Sequence, residues 1–251
     1  MKKATLLFSL FLSVSALNAQ GLKGILKKAT TPDSNGKTTI GTILKAPATK
    51  SLSNEEIISG LKEALKVGAD NSTKKLSAVD GFFKDAALKI LMPAEAQKVE
   101  KSLRNLGMGK LVDNAVLSMN RAAEDAAKEA APIFWNAIKG MTIQDGVGIL
   151  RGGDFAATNY LKGKTTTQLT EAFRPVIENS LKKVDATKHW NAVFSAYNKF
   201  SANPVNPDLS AYVTEKALTG IFFQVGQEEQ KIRKDPMART SELLKKVFSS
   251  Q

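Results

Sequence analysis

Along residues 109–133 apolar side chains recur at alternating spacings of four and three: Val112, Val116, Met119, Ala123, Ala126, Ala130 and Ile133. That rhythm predicts one amphipathic helix, Gly109–Ile133, with a continuous seam. The seam passes from branched side chains to alanines, so neighbouring helices can approach closely along its second half. Asp113, Asn120, Arg121, Glu124, Asp125 and Lys128 fall off the seam. Pairs Arg121–Asp125 and Glu124–Lys128 then stand at i,i+4 spacing on a partly wet face. We read this stretch as the central helix of an all-α domain.

The same pattern places other helices around it. Ser53-Asn54-Glu55-Glu56 has the spacing of a capping box ahead of Ile57, Ile58, Leu61, Ala64 and Leu65. Asp80-Gly81 marks a turn, followed by Phe82, Phe83, Leu88, Ile90 and Leu91 as core positions. Pro93 suits the first turn of a helix reaching about Leu106. Pro132 should end or kink the central helix before Ile133–Lys139 continues. Thr142 can cap a helix to Arg151, Gly152-Gly153 stops it, and Asp154 can cap Phe155–Leu161. Thr165–Thr167 offers a cap for a longer helix to Val184 with Pro175 inside it. A helix near 187–200 carries Trp190, Val193, Phe194 and Tyr197 on one face. After the turns at Asn203-Pro204 and Asn206-Pro207, Asp208 or Ser210 opens a long helix to about Lys234. Its middle, Ala217–Val225, is apolar nearly all round and should cross the core. Asp235-Pro236 opens a last helix bearing Leu243, Leu244, Val247 and Phe248. No credible strand alternation intervenes, and the expected fold is a single multi-helix domain over 51–249.

Upstream the character differs. Residues 1–19 combine Lys2 and Lys3, an apolar run Ala4–Leu17, and the small-residue ending Asn18-Ala19-Gln20, the pattern of a secretory signal peptide. The mature protein is expected to be exported, in a periplasm or outside the cell. Residues 20–50 are rich in Gly, Thr, Lys, Pro and Ser without a sustained period and read as a flexible arm. Six lysines there face one aspartate, a net charge of +5 out of a formal +12 for all 251 residues. Concentration of the positive charge in an arm weakens a nucleic-acid reading of the domain, and we assign no nucleic-acid partner. Leu22, Ile25 and Leu26 beside Lys23, Lys27 and Lys28 instead suit peripheral contact with an anionic membrane surface, echoed by Ile43-Leu44-Lys45.

Candidate chemistry is sparse. Without cysteine, disulfides, thiolate nucleophiles and Cys-type metal sites are excluded, and the one histidine, His189, cannot build a His-rich metal site. No Gly-x-Ser-x-Gly accompanies it, which favours a surface or interfacial histidine. Gly152-Gly153-Asp154 lacks the spacing and lysine of a P-loop and reads as a helix stop and cap. Asn120, Arg121 and Glu124, with Glu215 and Lys216, are polar groups on helices that otherwise look central. They suit either an inter-helix network that fixes register or a pocket for a small anionic or zwitterionic ligand, with Arg121 as a fork-shaped donor. Asp154 and Arg174 join them as ligand-binding candidates. Carboxylate metal binding by Glu124, Asp154 and Glu215 lacks any recognised loop, so no metal or cofactor is assigned. The leading functional expectation is a non-enzymatic binding or structural protein of the cell envelope. A hydrolase acting on envelope material through carboxylates and Arg121 is the alternative.

Several segments also resemble an uncharacterised exported bacterial family, DUF4197. They include Leu52–Ile58, Leu117–Glu124, Gly152-Gly153-Asp154 with Ala156-Ala157-Thr158, Phe173-Arg174-Pro175, Tyr212–Leu218, and Glu228–Arg233 with Asp235-Pro236 and Ala238-Arg239-Thr240. The resemblance spans roughly residues 52–248. It implies the fold class and export, and brings no activity, catalytic residue or cofactor.

The arm generates a first test. A chain beginning at Ser51 should melt within ~4 °C of one beginning at Gln20, because the arm lacks the apolar content to join a core. It should bind anionic vesicles more weakly, and binding by the longer chain should fall as salt shortens the Debye length below ~10 Å. Equal vesicle binding by both chains would reduce the arm to a linker.

Overall fold

The computed structural model describes residues 53–187 and 208–249, with isolated positions 190, 191, 194, 198, 199 and 204 between them. The leader, the arm, His189, Val193 and Tyr197 lie outside the described residues. Helix α1, Asn54–Ser77, starts at the expected capping box: Ser53 Oγ accepts from the Glu56 N–H at 3.2 Å while Glu56 Oε2 accepts from the Ser53 N–H at 2.9 Å. A non-helical strap, 78–93, follows. It turns through Asp80, held at φ 70°, and Gly81, where an added Cβ would stand 2.3 Å from the Lys75 carbonyl oxygen. Phe82, Leu88, Ile90 and Met92 of the strap are buried, but Leu91 is 58% exposed, contrary to expectation. Along an extended backbone successive side chains alternate sides, so Ile90 and Met92 turn inward and Leu91 outward.

After a 3₁₀ turn at Ala94–Ala96 comes α2, Gln97–Asn105. It closes on Gly107 at φ 76°, with the Gly107 and Met108 N–H groups donating to the Arg104 and Leu103 carbonyls, a Schellman stop. The central helix α3 is Gly109–Ala127, and Val112, Val116, Met119, Ala123 and Ala126 of its seam are all buried. It ends earlier than expected. Pro132 has no N–H for the Lys128 carbonyl and its ring clashes there, so the chain breaks at Lys128-Glu129. A separate α4, Ala130–Lys139, then takes Pro132 into its first turn, where no intrahelical donor is needed. Helix α5, Ile143–Arg151, starts at a second capping box, Thr142 with Asp145, and stops at Gly152.

Where two helices were expected, the structure has one, α6, Ala156–Lys182. Thr165, Thr166 and Thr170 turn their hydroxyls back onto the carbonyls of Leu161, Lys162 and Thr166 at 2.6–2.8 Å. They therefore continue the helix instead of capping a new one. Asp208 caps α7, Leu209–Lys234, through the Ala211 N–H at 2.9 Å. The expected C-terminal helix is divided into a 3₁₀ turn at Pro236–Ala238 and α8, Glu242–Ser249, begun by the Ser241 hydroxyl.

No strand occurs among the described residues, and the domain is all-α. Helix α6 packs most extensively on α7 and α3, with α1 against α7 and α4. Ala122, Ala123, Ala126 and Ala127 of α3 are fully buried, consistent with close helix approach. On α7, Gly220 leaves room for the Phe82 ring, which would stand 2.5 Å from an added Cβ.

Two glycines should behave oppositely. Gly81→Ala must push against backbone carbonyls and should cost more than ~2 kcal/mol. Gly163→Ala, in the exposed middle of α6 with nothing within 4 Å, should stabilise by up to ~1 kcal/mol through helix propensity. Urea melts of the two variants check the sign of each.

Candidate functional site

Three of the sequence candidates come together on one face of α3. Asn120 is fully buried; its Oδ1 accepts from the Ile90 N–H at 2.9 Å, and its Nδ2 donates to the carbonyls of Ile90 at 2.8 Å and Val116 at 2.7 Å. One turn on, the buried Glu124 carboxylate accepts from the Phe82 and Phe83 N–H groups, each at 3.1 Å, and from Arg121 Nη1 at 2.6 Å. Arg121 Nη2 reaches Asp80 at 2.6 Å, and Lys84 reaches the other Asp80 oxygen at 2.8 Å. Hydrogen bonds from Lys84 and then Arg121 hold the Asp80 carboxyl below its ordinary range, while Glu124 and Asp80 push the guanidinium of Arg121 up.

These side chains fasten the strap to α3, and every Glu124 oxygen is engaged within the chain. The expected Arg121–Asp125 and Glu124–Lys128 pairs are replaced by Arg121–Glu124 and Lys128–Asp125 at i,i+3. Glu124 faces inward to the strap and not to a wet surface. Farther along the strap, Tyr212 of α7 donates to the Leu91 carbonyl at 2.8 Å; burial pushes its phenol up to about 12, which keeps the donor proton in place.

A second carboxylate works the same way. Helix α6 begins at Phe155 without a side-chain cap. Glu229, 71 residues beyond Thr158 and on α7, accepts from the Ala157 N–H at 3.0 Å and from the Thr158 N–H and hydroxyl at 2.8 and 2.7 Å. Arg233 supports Glu229 at 2.9 Å and donates to the Ile149 carbonyl at 2.9 Å, joining the end of α5 to the start of α6. The helix N-terminus after Gly152-Gly153 is thus occupied by the protein's own carboxylate. Nothing local in the sequence announces this role for Glu229; its only signal is a Glu-x-x-x-Arg pair close to the apolar stretch of a long helix.

The other candidates stand elsewhere. Asp154, assigned the cap, is exposed and pairs with Lys234 at 3.2 Å. Arg174 pairs with Asp208 where α6 passes the start of α7. Glu215 and Lys216 are exposed on α7, with the Lys216 ammonium 5.5 Å from the Tyr212 ring. Glu124, Asp154 and Glu215 do not converge, and no group of three such ligands forms among the described residues.

The feature that sequence patterning did not single out is a cleft beside α2. Val99 and Leu103 of α2, Met92 of the strap, Val112 of α3, and Trp190 and Phe194 line an apolar chamber of about 370 Å³. Ligand pockets generally fall between ~300 and ~1,000 Å³. Its lining includes the exposed apolar side chains Leu111 and Val184, each at least half exposed. Helix α2 itself has no buried residue. On the other side of α2 lies a polar chamber of about 420 Å³, lined among others by Lys89, Glu100, Arg104 and Asp113. Met92 lines both. The signal was present as the Trp190/Phe194 spacing and the Val99/Leu103 stripe, but each alone reads as ordinary core.

Fold and site together define an all-α domain in which buried carboxylates hold the helices and an apolar cleft opens beside a lightly seated helix. The chain belongs to the family described as Protein of unknown function (DUF4197), which matches residues 51–249. No curated protein and no solved structure matches the chain.

Glu124→Ala strips the partners from two backbone N–H groups and from Arg121 and should destabilise the domain by about 3–5 kcal/mol. Glu215→Ala, on the exposed face, should stay within ~0.5 kcal/mol. Denaturant midpoints of both variants check this, and near-equal midpoints would mean that the strap is not held by Glu124.

Proposed function

We propose that this is an exported, non-enzymatic binding protein of the bacterial cell envelope and that the cleft beside α2 receives the apolar part of a small ligand. The observation that carries the reading is the 370 Å³ chamber walled by Met92, Val99, Leu103, Val112, Trp190 and Phe194. A concave apolar surface of that size bordered by exposed apolar side chains suits a hydrophobic group brought in from solution or from a lipid surface. The basic arm would supply loose attraction to an anionic membrane, placing the cleft near such material.

The hydrolytic alternative draws no support from the geometry around Arg121. A general acid or base must reach substrate, whereas the Glu124 oxygens and both terminal nitrogens of Arg121 are already bonded inside the chain. Among the described residues, no helix is long and apolar enough to cross a membrane.

Trp190 provides the readout, since the only other tryptophan is Trp135. In a Trp135→Phe background, titration with dodecanol should change Trp190 emission saturably, with a Kd of roughly 1–100 μM. Leu103→Asp should abolish the change without altering helix content, because Leu103 is only partly buried at the edge of the core. A linear, unsaturable response in the parent chain would defeat the binding reading.

A further inference from the structure

We infer that the ligand of this cleft is a single-chain amphiphile with an anionic headgroup, its tail in the apolar chamber and its headgroup in the polar chamber across Met92. The inference rests on the binding reading above and adds the chemical class. Two chambers flank one helix, one apolar and the other lined by both charged and apolar side chains. Val99 and Leu103 line the apolar side, and Gln97, Glu100 and Arg104 line the polar side. Between them the shared wall is Met92, whose unbranched thioether side chain can change rotamer more readily than a branched one.

One cation of this chamber selects the headgroup. Arg104 is already paired, donating to Glu100 at 3.0 Å and to Asp113 at 2.9 Å, and both carboxylates of the chamber are turned to it. Lys89 is different. Its ammonium lies 4.1 Å from the centre of the Phe83 ring, and among the described residues no carboxylate stands within ion-pair distance of it. An ammonium held against a ring, lining an open chamber and without a direct ion-pair partner, can donate to an anion. A neutral or cationic headgroup would leave Lys89 without a direct ion-pair partner. Carboxylate and phosphate share the required chemistry, and a fatty acid or a single-chain phospholipid could each supply it.

Helix α2 supplies the route between the chambers. It buries no residue of its own, begins at a 3₁₀ turn and ends at Gly107, while Arg104–Asp113 fastens it to α3 by an exposed ion pair. Such a pair contributes little and yields readily, and Val99 and Leu103 pack on the core only in part, so α2 can lift to admit a headgroup and settle over the chain that follows.

The test compares dodecanoate, dodecyl phosphate and dodecanol below their micellar concentrations by Trp190 emission in the full mature chain carrying Trp135→Phe. At least one anionic probe should bind about tenfold more tightly than dodecanol, as expected for one charge-assisted contact. Which one does so tells a carboxylate source from a phosphate source. Lys89→Gln should reduce that preference to about twofold or less, while Lys74→Gln, on the exposed end of α1, should retain it. Equal binding of all three probes, or a preference that survives Lys89→Gln, overturns the amphiphile inference and leaves the apolar binding reading standing. Absence of saturable binding by every probe overturns both.

Discussion

The buried carboxylate of Glu124 is the constraint on which the architecture turns. It sits on the central helix, yet its partners are the backbone N–H groups of Phe82 and Phe83 in a segment with no helix to satisfy them. Those donors would otherwise be carried into the core unpaired, at a cost of several kcal/mol. Once they are held, Phe82 fills the space left by Gly220 on α7, and Ile90 comes to Asn120. A single charge thereby brings together α3, the strap and α7, and Arg121 keeps that charge balanced at the edge where water begins.

The same device at Glu229 and Arg233 governs the other end of the bundle, with α5, α6 and α7 meeting at one carboxylate. Buried ion pairs are weak evidence of net stability, because well-packed apolar residues can often replace them. Their value here is positional. A helix can slide along an apolar seam with little penalty, but a carboxylate matched to two particular N–H groups permits one register only.

What could be read from the residues alone was whatever rests on neighbours in the chain. The box at Ser53, the cap at Thr142, the helix start at Asp208 or Ser210, the seam of α3 and the core crossing by Ala217–Val225 all depend on contacts a few positions apart or on simple periodicity. The resemblance to the family, carried by Leu117–Glu124 and Glu228–Arg233 among others, held for residues 51–249. What could not be read depends on distant partners. Asp154 looked like the cap of α6 because it is local, whereas the group that caps it arrives from Glu229. Thr165–Thr167 looked like a helix start because a threonine hydroxyl serves equally well as a cap or as a donor to its own helix, and only packing decides. Leu91 looked like core because hydrophobicity does not reveal that the backbone there is extended. The cleft escaped notice for a related reason: its walls come from the strap, α2, α3 and from Val184, Ala186, Trp190, Phe194 and Leu209, and no one of these is unusual alone.

The cap supplied from α7 also sets an order of assembly. Until residue 229 has been made and α7 has docked, the N–H groups of Ala157 and Thr158 lack their acceptor. Closing that contact spans 71 residues and must follow the formation of the local helices. During synthesis the emerging N-terminal part of the bundle would therefore remain an open intermediate, with α6 frayed at its start and apolar faces of α3 awaiting their partner. The C-terminal part of this domain acts as the latch of the folding reaction, and a chain cut before Glu229 would leave a sticky fragment in place of a smaller domain.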